Sequence, residues 1–255
     1  MSSLSFRLDE RVAIVTGGTR GIGKAIAMGL LGAGAQVIIC GRDEERACTS
    51  ARELAGATGR PAVGFGFDLT HRDQAHALVE RTVATFRHID ILVNNAGIVA
   101  RGPVESATGE EFQNLIHHNL MSTYYMCRDA AAHLKASGEG RVINIGSILS
   151  IVGMAERALY AATKGAVLQF TRSLALEWAK IGVTVNCILP GVVLTDLNRE
   201  LLRDPEVERV IGAQIPIGRV ALPDDIAGVA VFLASSAATY ITGAAIPVDG
   251  GWTAR

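Results

Sequence analysis

A chain of 255 residues with 49% hydrophobic residues is long enough for one large α/β domain and can bury a sizeable core. Its formal net charge of -1 excludes a global attraction to nucleic acid or to an acidic membrane surface. The N-terminus, MSSLSFRLDER, has no apolar core of signal-peptide length, and the longest apolar run, IAGVAVFLA at 226–234, is far too short to span a bilayer. These features are those expected of a soluble, cytoplasmic protein.

In chain order, short β-branched runs alternate with helical patterns. The first strand, VAIVT at 12–16, leads through T-G-G-T-R-G-I-G into the helical stretch IGKAIAMGLLGAG. Gly17, Gly21 and Gly23 suit a tight turn that brings backbone close to a pyrophosphate at a helix N-terminus. Gly18 to Lys24 also reads G-x-x-x-x-G-K, the start of a nucleotide triphosphatase loop, but Ala25 stands where a magnesium-binding Ser or Thr would be needed. The second strand, QVIIC at 36–40, ends in Gly41-Arg42. An acidic residue at this place would grip a free ribose 2′-hydroxyl. Glycine leaves room for a 2′-phosphate instead, and Arg42 can pair with it, with Arg20 a second candidate. NADP(H) is therefore preferred over NAD(H), although Arg42 can also be read as a solvated residue at a helix entry.

The third strand, AVGFGF at 62–67, precedes Asp68-Leu69 and the helical stretch HRDQAHALVERTVATF. The fourth, DILVN at 90–94, runs into Asn94-Asn95-Ala96-Gly97, and a helical stretch EEFQNLIHHNLMSTYYMC follows with Asn119 in it. The fifth, RVINI at 141–145, ends in Gly146-Ser147. Beyond it a long helical pattern opens on Tyr160-Ala-Ala-Thr-Lys164, which puts a phenol and an ammonium on one helix face, roughly 5–6 Å apart at Cβ. Acid/base work by a tyrosine near pH 7 asks for a pKa about 3 units below normal, or about 4 kcal/mol. One exposed ion pair would not supply that, so a dry site and a second cation are required. The sixth strand, VTVNCIL at 183–189, runs into Pro190-Gly191, and AAIPV at 244–248 is the seventh.

Strands without polar alternation belong to a sheet covered on both faces. Strand–helix repetition without a linker gives one doubly wound, seven-stranded parallel α/β domain over 1–255, with ligands outside the carboxyl ends of the strands. The four cysteines, Cys40, Cys48, Cys127 and Cys187, show no C-x-x-C and read as free thiols. His117 and His118 are adjacent and point apart, so no metal site is expected.

Taken together, T-G-x-x-x-G-I-G, N-N-A-G, a helical Asn, a Ser, Y-x-x-x-K and P-G-x-x-x-T resemble the short-chain dehydrogenase/reductase family, in order and spacing, from about residue 10 to the D-G-G near the C-terminus. The resemblance implies a Rossmann-like fold and a catalytic set of Asn119, Ser147, Tyr160 and Lys164. Tyr160 would give or take the proton at the substrate oxygen, and Lys164 would lower its pKa and bond the nicotinamide ribose. Ser147 would hydrogen-bond the same oxygen, and Asn119 would hold a relay water. The oxidised nicotinamide would be the second cation. The family's usual N-x-S-S reads here Asn144-Ile-Gly146-Ser147, a departure that spares the reactive serine.

Cofactor contacts are implied for Gly17, Thr19, Arg20, Gly21 and Ile22 in the phosphate loop, and for Gly41, Arg42, Asp68 and Leu69 around the adenosine. Asn94, Ala96 and Gly97 would line its ribose and support the sheet, and Pro190, Gly191, Val192 and Thr195 would meet the carboxamide. The substrate is a ketone or its secondary alcohol. The closing region looks most like that of relatives acting on sugar acids or on 3-oxoacyl thioesters. Arg101 and Arg157 are candidate partners for an acidic substrate, and 196–215 is expected to act as a lid. A cofactor-binding module without turnover and a triphosphatase are the readings from other classes. The resemblance also implies a homotetramer, since family members are usually built through the helices around 108–136 and 157–180 and the C-terminal segment.

Overall fold

The run VAIVT becomes β1 (Val12–Thr16), buried at every position. Its alternate side chains enter different layers: Ala13 and Val15 pack under one set of helices, while Ile14 packs under the other. This is why the run carries no polar alternation. The same logic holds in the computed structural model for β2 (Gln36–Gly41), β4 (Ile91–Asn94) and β5 (Arg141–Ile145). With β3 (Ala62–Gly66), β6 (Thr184–Pro190) and β7 (Ala245–Val248) they form one sheet of order β3-β2-β1-β4-β5-β6-β7. Every pairing is parallel. The structure describes residues 5–196, 200 and 203–254.

One face of the sheet is covered by α1 (Gly21–Gly32), α2 (Glu44–Thr58) and α8 (Pro223–Ala234), which contribute Ile26, Leu30, Leu54, Ile226 and Leu233. The other is covered by α3 (Arg72–Phe86), α5 (Ser122–Ala136) and α6 (Ala158–Trp178), through Leu78, Met126, Leu134, Leu174 and Trp178. Burying a side chain of this size contributes roughly 1.5–3 kcal/mol. Chain order reverses between β1 and β4, the two strands that flank the switch point where such sheets open a crevice.

Three sequence expectations shift. Strand ends move by one residue, so that β6 includes Pro190, paired to Val248 at the sheet edge. The helix expected through Asn119 is interrupted: α4 (Gly109–Ile116) passes into a π turn, His117–Met121, before α5 starts. Asn119 lies in that turn with its side chain buried. The expected lid at 196–215 lies partly outside the described residues, and its described portion holds α7 (Pro205–Ala213), capped by the Asp204 carboxylate.

Candidate active site

A cleft of about 980 Å³ runs along the carboxyl ends of the strands, large enough for a dinucleotide with a small substrate. Its middle is the phosphate loop. Gly17 has φ +63°, a conformation that favours glycine, and a Cβ on Gly23 would collide with the Gly17 carbonyl oxygen. The loop is stitched to the end of β4 by two residues whose roles the motifs did not reveal. Thr16 Oγ1 accepts from the backbone of Asn95 and Ala96, at 3.0 Å each. The Asn95 amide donates to the carbonyls of Thr16 and Gly17, at 3.0 and 3.1 Å. Helix α1 starts here with neither a side-chain cap nor an acidic residue in its first turn. Its amides are left for an anion, which is the fit a pyrophosphate requires. Thr19, Arg20, Gly21 and Ile22 line this part of the cleft.

At one end the cleft is walled by Gly41, Arg42, Asp68 and Leu69, and Ala96 and Gly97 line it farther along. Asp68 is influenced most by burial, which raises its pKa, but hydrogen bonds from Thr70 hold it below the usual carboxylate range. Three expectations gain detail. Gly41 faces the cleft, and a Cβ there would lie 2.8 Å from the Thr19 methyl, so a larger residue would require Thr19 to shift. Arg20 Nη1 lies 3.8 Å from the Asp196 carboxylate, on a stretch of cleft wall that both residues line, whereas Arg42 has no ion pair among the described residues. Asn94 does not line the cleft. Its amide donates to Asn144 Oδ1 at 2.8 Å and to Cys127 Sγ at 3.3 Å, so its side chain supports the sheet.

At the other end stand Ser147, Tyr160 and Lys164, walled by Pro190, Gly191, Val192 and Thr195. Lys164 is buried, and its Nζ donates to the Ile145 carbonyl at 2.8 Å. Gly97 must be small, because a Cβ would lie 2.9 Å from Asn119 Oδ1 and 3.6 Å from Lys164 Nζ. Both ends of the Asn119 amide are hydrogen-bonded. Its Oδ1 accepts from Ile98 N at 2.8 Å, and its Nδ2 donates to Ile98 O and Thr163 Oγ1 at 3.0 Å each. The side chain thus clamps the loop after β4 to α6, and its Oδ1 keeps one lone pair for a further donor. The change at Gly146 has a local cause as well: a Cβ there would come within 2.6 Å of Leu189 Cδ2 and 2.8 Å of Cys187 Sγ.

The electrostatics also differ from expectation. Burial pushes the Tyr160 phenol up to about 12, against an opposing hydrogen bond with Ser147, and Lys164 has no resolved part in the shift. Burial lowers Lys164 to about 8, so the amine is itself on the way to neutrality. Drying the site was expected to sharpen the attraction between the pair; in the protein's own field the desolvation of each charge is larger. The second cation anticipated from the sequence is thus needed more than that reading allowed.

Beyond Tyr160 the cleft widens between Val99, Arg101, Met154, Arg157, Gln214 and Trp252. Burial, followed by the nearby charge of Arg101, lowers the pKa of Arg157, so the two guanidiniums lie near each other at this opening. Gln214 falls within 196–215, the stretch expected to act as a lid, whereas Trp252 comes from a remote segment and carries no local motif that could have announced it.

Comparison with known proteins agrees with this geometry. A family model described as enoyl-(acyl carrier protein) reductase matches residues 17–253. The 2-dehydro-3-deoxy-D-gluconate 5-dehydrogenase of Escherichia coli is 40% identical over 252 residues, 98% of either chain. The L-fucose dehydrogenase of Oryctolagus cuniculus is 41% identical, covering 96% of this chain and 86% of its own. Among solved structures, a gluconate 5-dehydrogenase from Burkholderia cenocepacia, in complex with NADP and tartrate, superposes with a TM-score of 0.93 at 39% identity over 98% of each chain. This chain belongs to the short-chain dehydrogenase/reductase family, whose members are NAD(P)-dependent oxidoreductases acting at CH–OH and C=O groups.

Proposed function

We propose that the chain interconverts a ketone and a secondary alcohol on a small sugar acid, using NADP(H). The observation that carries this reading is the cleft itself. Phosphate-loop amides lie at its centre, Arg42 stands at one end, and Ser147, Tyr160 and Lys164 meet at the other. Bound NADP(H) supplies or accepts the hydride. Tyr160 gives the proton to the substrate oxygen in reduction and takes it in oxidation, and Ser147 hydrogen-bonds that oxygen as charge develops. Lys164 holds positive charge beneath the phenol, and Asn119 keeps the 97–98 loop and α6 in register. Burial keeps the Tyr160 proton in place near neutrality, so the side chain holds the proton that reduction consumes.

Several supports bear on cofactor and substrate. The Burkholderia enzyme was solved with NADP, and relatives from three further bacteria share the name 2-dehydro-3-deoxy-D-gluconate 5-dehydrogenase. Arg42 is the cation for a 2′-phosphate. Arg42→Ala is expected to weaken NADPH by about tenfold or more, with NADH nearly unaffected. Parallel fluorescence titrations check this, and equal losses for both cofactors would remove Arg42 from the role.

Arg101 and Arg157 are placed to take the carboxylate of the substrate. Replacing either by Ala should raise KM for an acidic ketone by about tenfold and leave KM for a neutral one unchanged. A panel of sugar acids, neutral ketones and 3-oxoacyl thioesters, run with NADPH and NADH, tests the whole reading. A preference for the thioesters would replace the sugar-acid assignment, and inactivity throughout would favour a binding module.

Segment 196–215, with Ile211 and Gln214 on the cleft wall, serves as the substrate lid. Exposed apolar side chains on α5 and α6, Tyr124 at 40% and Leu176 at 82%, support a homotetramer assembled through these helices. Four cysteines without a disulfide suit a cytoplasmic setting. No helix among the described residues is long and apolar enough to cross a membrane.

A further inference from the structure

Two hydrogen bonds hold Lys164 against the strand end that carries Ser147, one before it and one after. Upstream, Lys164 Nζ reaches the Ile145 carbonyl at 2.8 Å. Downstream, the Ser150 hydroxyl donates to the Lys164 carbonyl, also at 2.8 Å. The same hydroxyl accepts from the Ser147 backbone N–H at 3.2 Å. Ser150 therefore closes a ring with residues 145–150 on one side and a turn of α6 on the other.

The ring sits on a rigid floor. The position a Cβ would take at Gly146 is 2.6 Å from Leu189, 2.8 Å from Cys187 and 3.0 Å from Ser150 Oγ. A hydroxyl at 146, as in the family's usual motif, has no room here. As the third residue of a short turn (Ile148–Ser150), Ser150 would need only its bond to Ser147 N. The additional bond to α6 is what a cap does not explain. It couples the height of Ser147 to the helical turn presenting both Tyr160 and Lys164.

We infer that Ser150 is a positioning residue, whose hydroxyl sets the register between Ser147 and the Tyr160–Lys164 turn. This rests on the reading of Tyr160 as the proton donor and acceptor. Ser147 hydrogen-bonds the phenol and opposes the effect of burial on it. Without the Ser150 tether that bond lengthens, and proton loss from Tyr160 moves to higher pH.

The test compares Ser150→Ala, Ser150→Thr and Tyr160→Phe with the wild-type enzyme, in both directions and across pH. For Ser150→Ala the expected result is a kcat about tenfold lower at neutral pH. The ascending limb of alcohol oxidation should move to higher pH, with KM and the NADPH Kd unchanged. Ser150→Thr, which keeps the hydroxyl at this half-buried position, should restore most of the rate. Wild-type kinetics in Ser150→Ala would overturn the inference. So would a loss equal at every pH and accompanied only by a lower Tm, since the hydroxyl would then be a turn cap alone. Should Ser150→Ala not fold, Ser150→Cys, with a weaker donor of similar size, must show the same movement of the pH limb. Turnover surviving in Tyr160→Phe would instead sink the underlying reading, whatever Ser150 does.

Discussion

Tyr160→Phe removes one oxygen atom and is expected to lower kcat by about 10²–10⁴-fold, the range that general acid/base catalysis contributes. The ring stays, so packing against α6 and the cleft wall is preserved, and the NADPH Kd should not change. What goes is the proton at the substrate oxygen and the phenol's hydrogen bond with Ser147. The pH dependence gives the sign. Burial raises the phenol to about 12, so through neutral pH the group is protonated. Reduction, which consumes that proton, should be flat near neutrality and fall on the alkaline side. Oxidation needs the proton gone and should climb with pH. Both trends should vanish from the residual rate of Tyr160→Phe. An ultraviolet difference titration of the wild type against this variant, without cofactor, should show a phenol that titrates above the ordinary tyrosine range. A phenol titrating below that range would mean that the protein's own charges suffice to activate it, contrary to the electrostatics described above.

Lys164→Met should separate activity from stability. Loss of the cation and of its bond toward the cofactor is expected to reduce kcat by about 10²-fold or more. The fold, by contrast, should gain. The amine is buried, and its pKa falls from 10.5 to about 8, so at pH 7 the folded state holds a charge it disfavours by roughly 3 kcal/mol. Part of this is offset by the hydrogen bond to the Ile145 carbonyl, which methionine forfeits. A net gain of about 1–2 kcal/mol remains, or ~2–8 °C in Tm. The linkage has a definite direction. Below pH 8 both folded and unfolded chains bind the proton and the penalty is present in full. Between pH 8 and 10.5 the unfolded chain binds more protons, so wild-type stability rises through this window. The advantage of Lys164→Met should therefore vanish within this window and reverse by about pH 10.5, where only the lost hydrogen bond to Ile145 remains. Thermal melts at matched protein concentration across that range measure it. A variant less stable than the wild type at pH 7 would show that the amine is well solvated or well paired in its pocket. An active site that costs its own fold stability is a common trade.

How much of this was legible beforehand depends on the range of the interactions concerned. Local rules sufficed for β1, the phosphate loop and the Tyr160–Lys164 turn. Period, glycine placement and helical spacing are properties of neighbouring residues. The motifs also brought the reactive set to one cleft end, because parallel α/β sheets offer their ligands the carboxyl ends of the strands. The same rules reach only part of what Asn94 and Asn119 do. Residue type and motif position do not disclose that their hydrogen bonds go to Asn144, Ile98 and Thr163, at separations of 21 to 50 residues in the chain. Nor does the place of Arg20 in the loop disclose its contact with Asp196.

By itself the sequence determined the layered architecture, the phosphate loop and the one-turn spacing of phenol and amine, since each follows from periodicity and backbone permissiveness over a few residues. Only the tertiary structure decided the electrostatic balance. Whether Lys164 can lower Tyr160 depends on how dry the pocket is, and dryness is set by everything that packs around it. It likewise decided that Thr19 packs beside Gly41, that Leu189 and Cys187 crowd a side chain at 146, and that Ser150 spans from the end of β5 to α6. These are contacts between distant segments, and no local pattern encodes them.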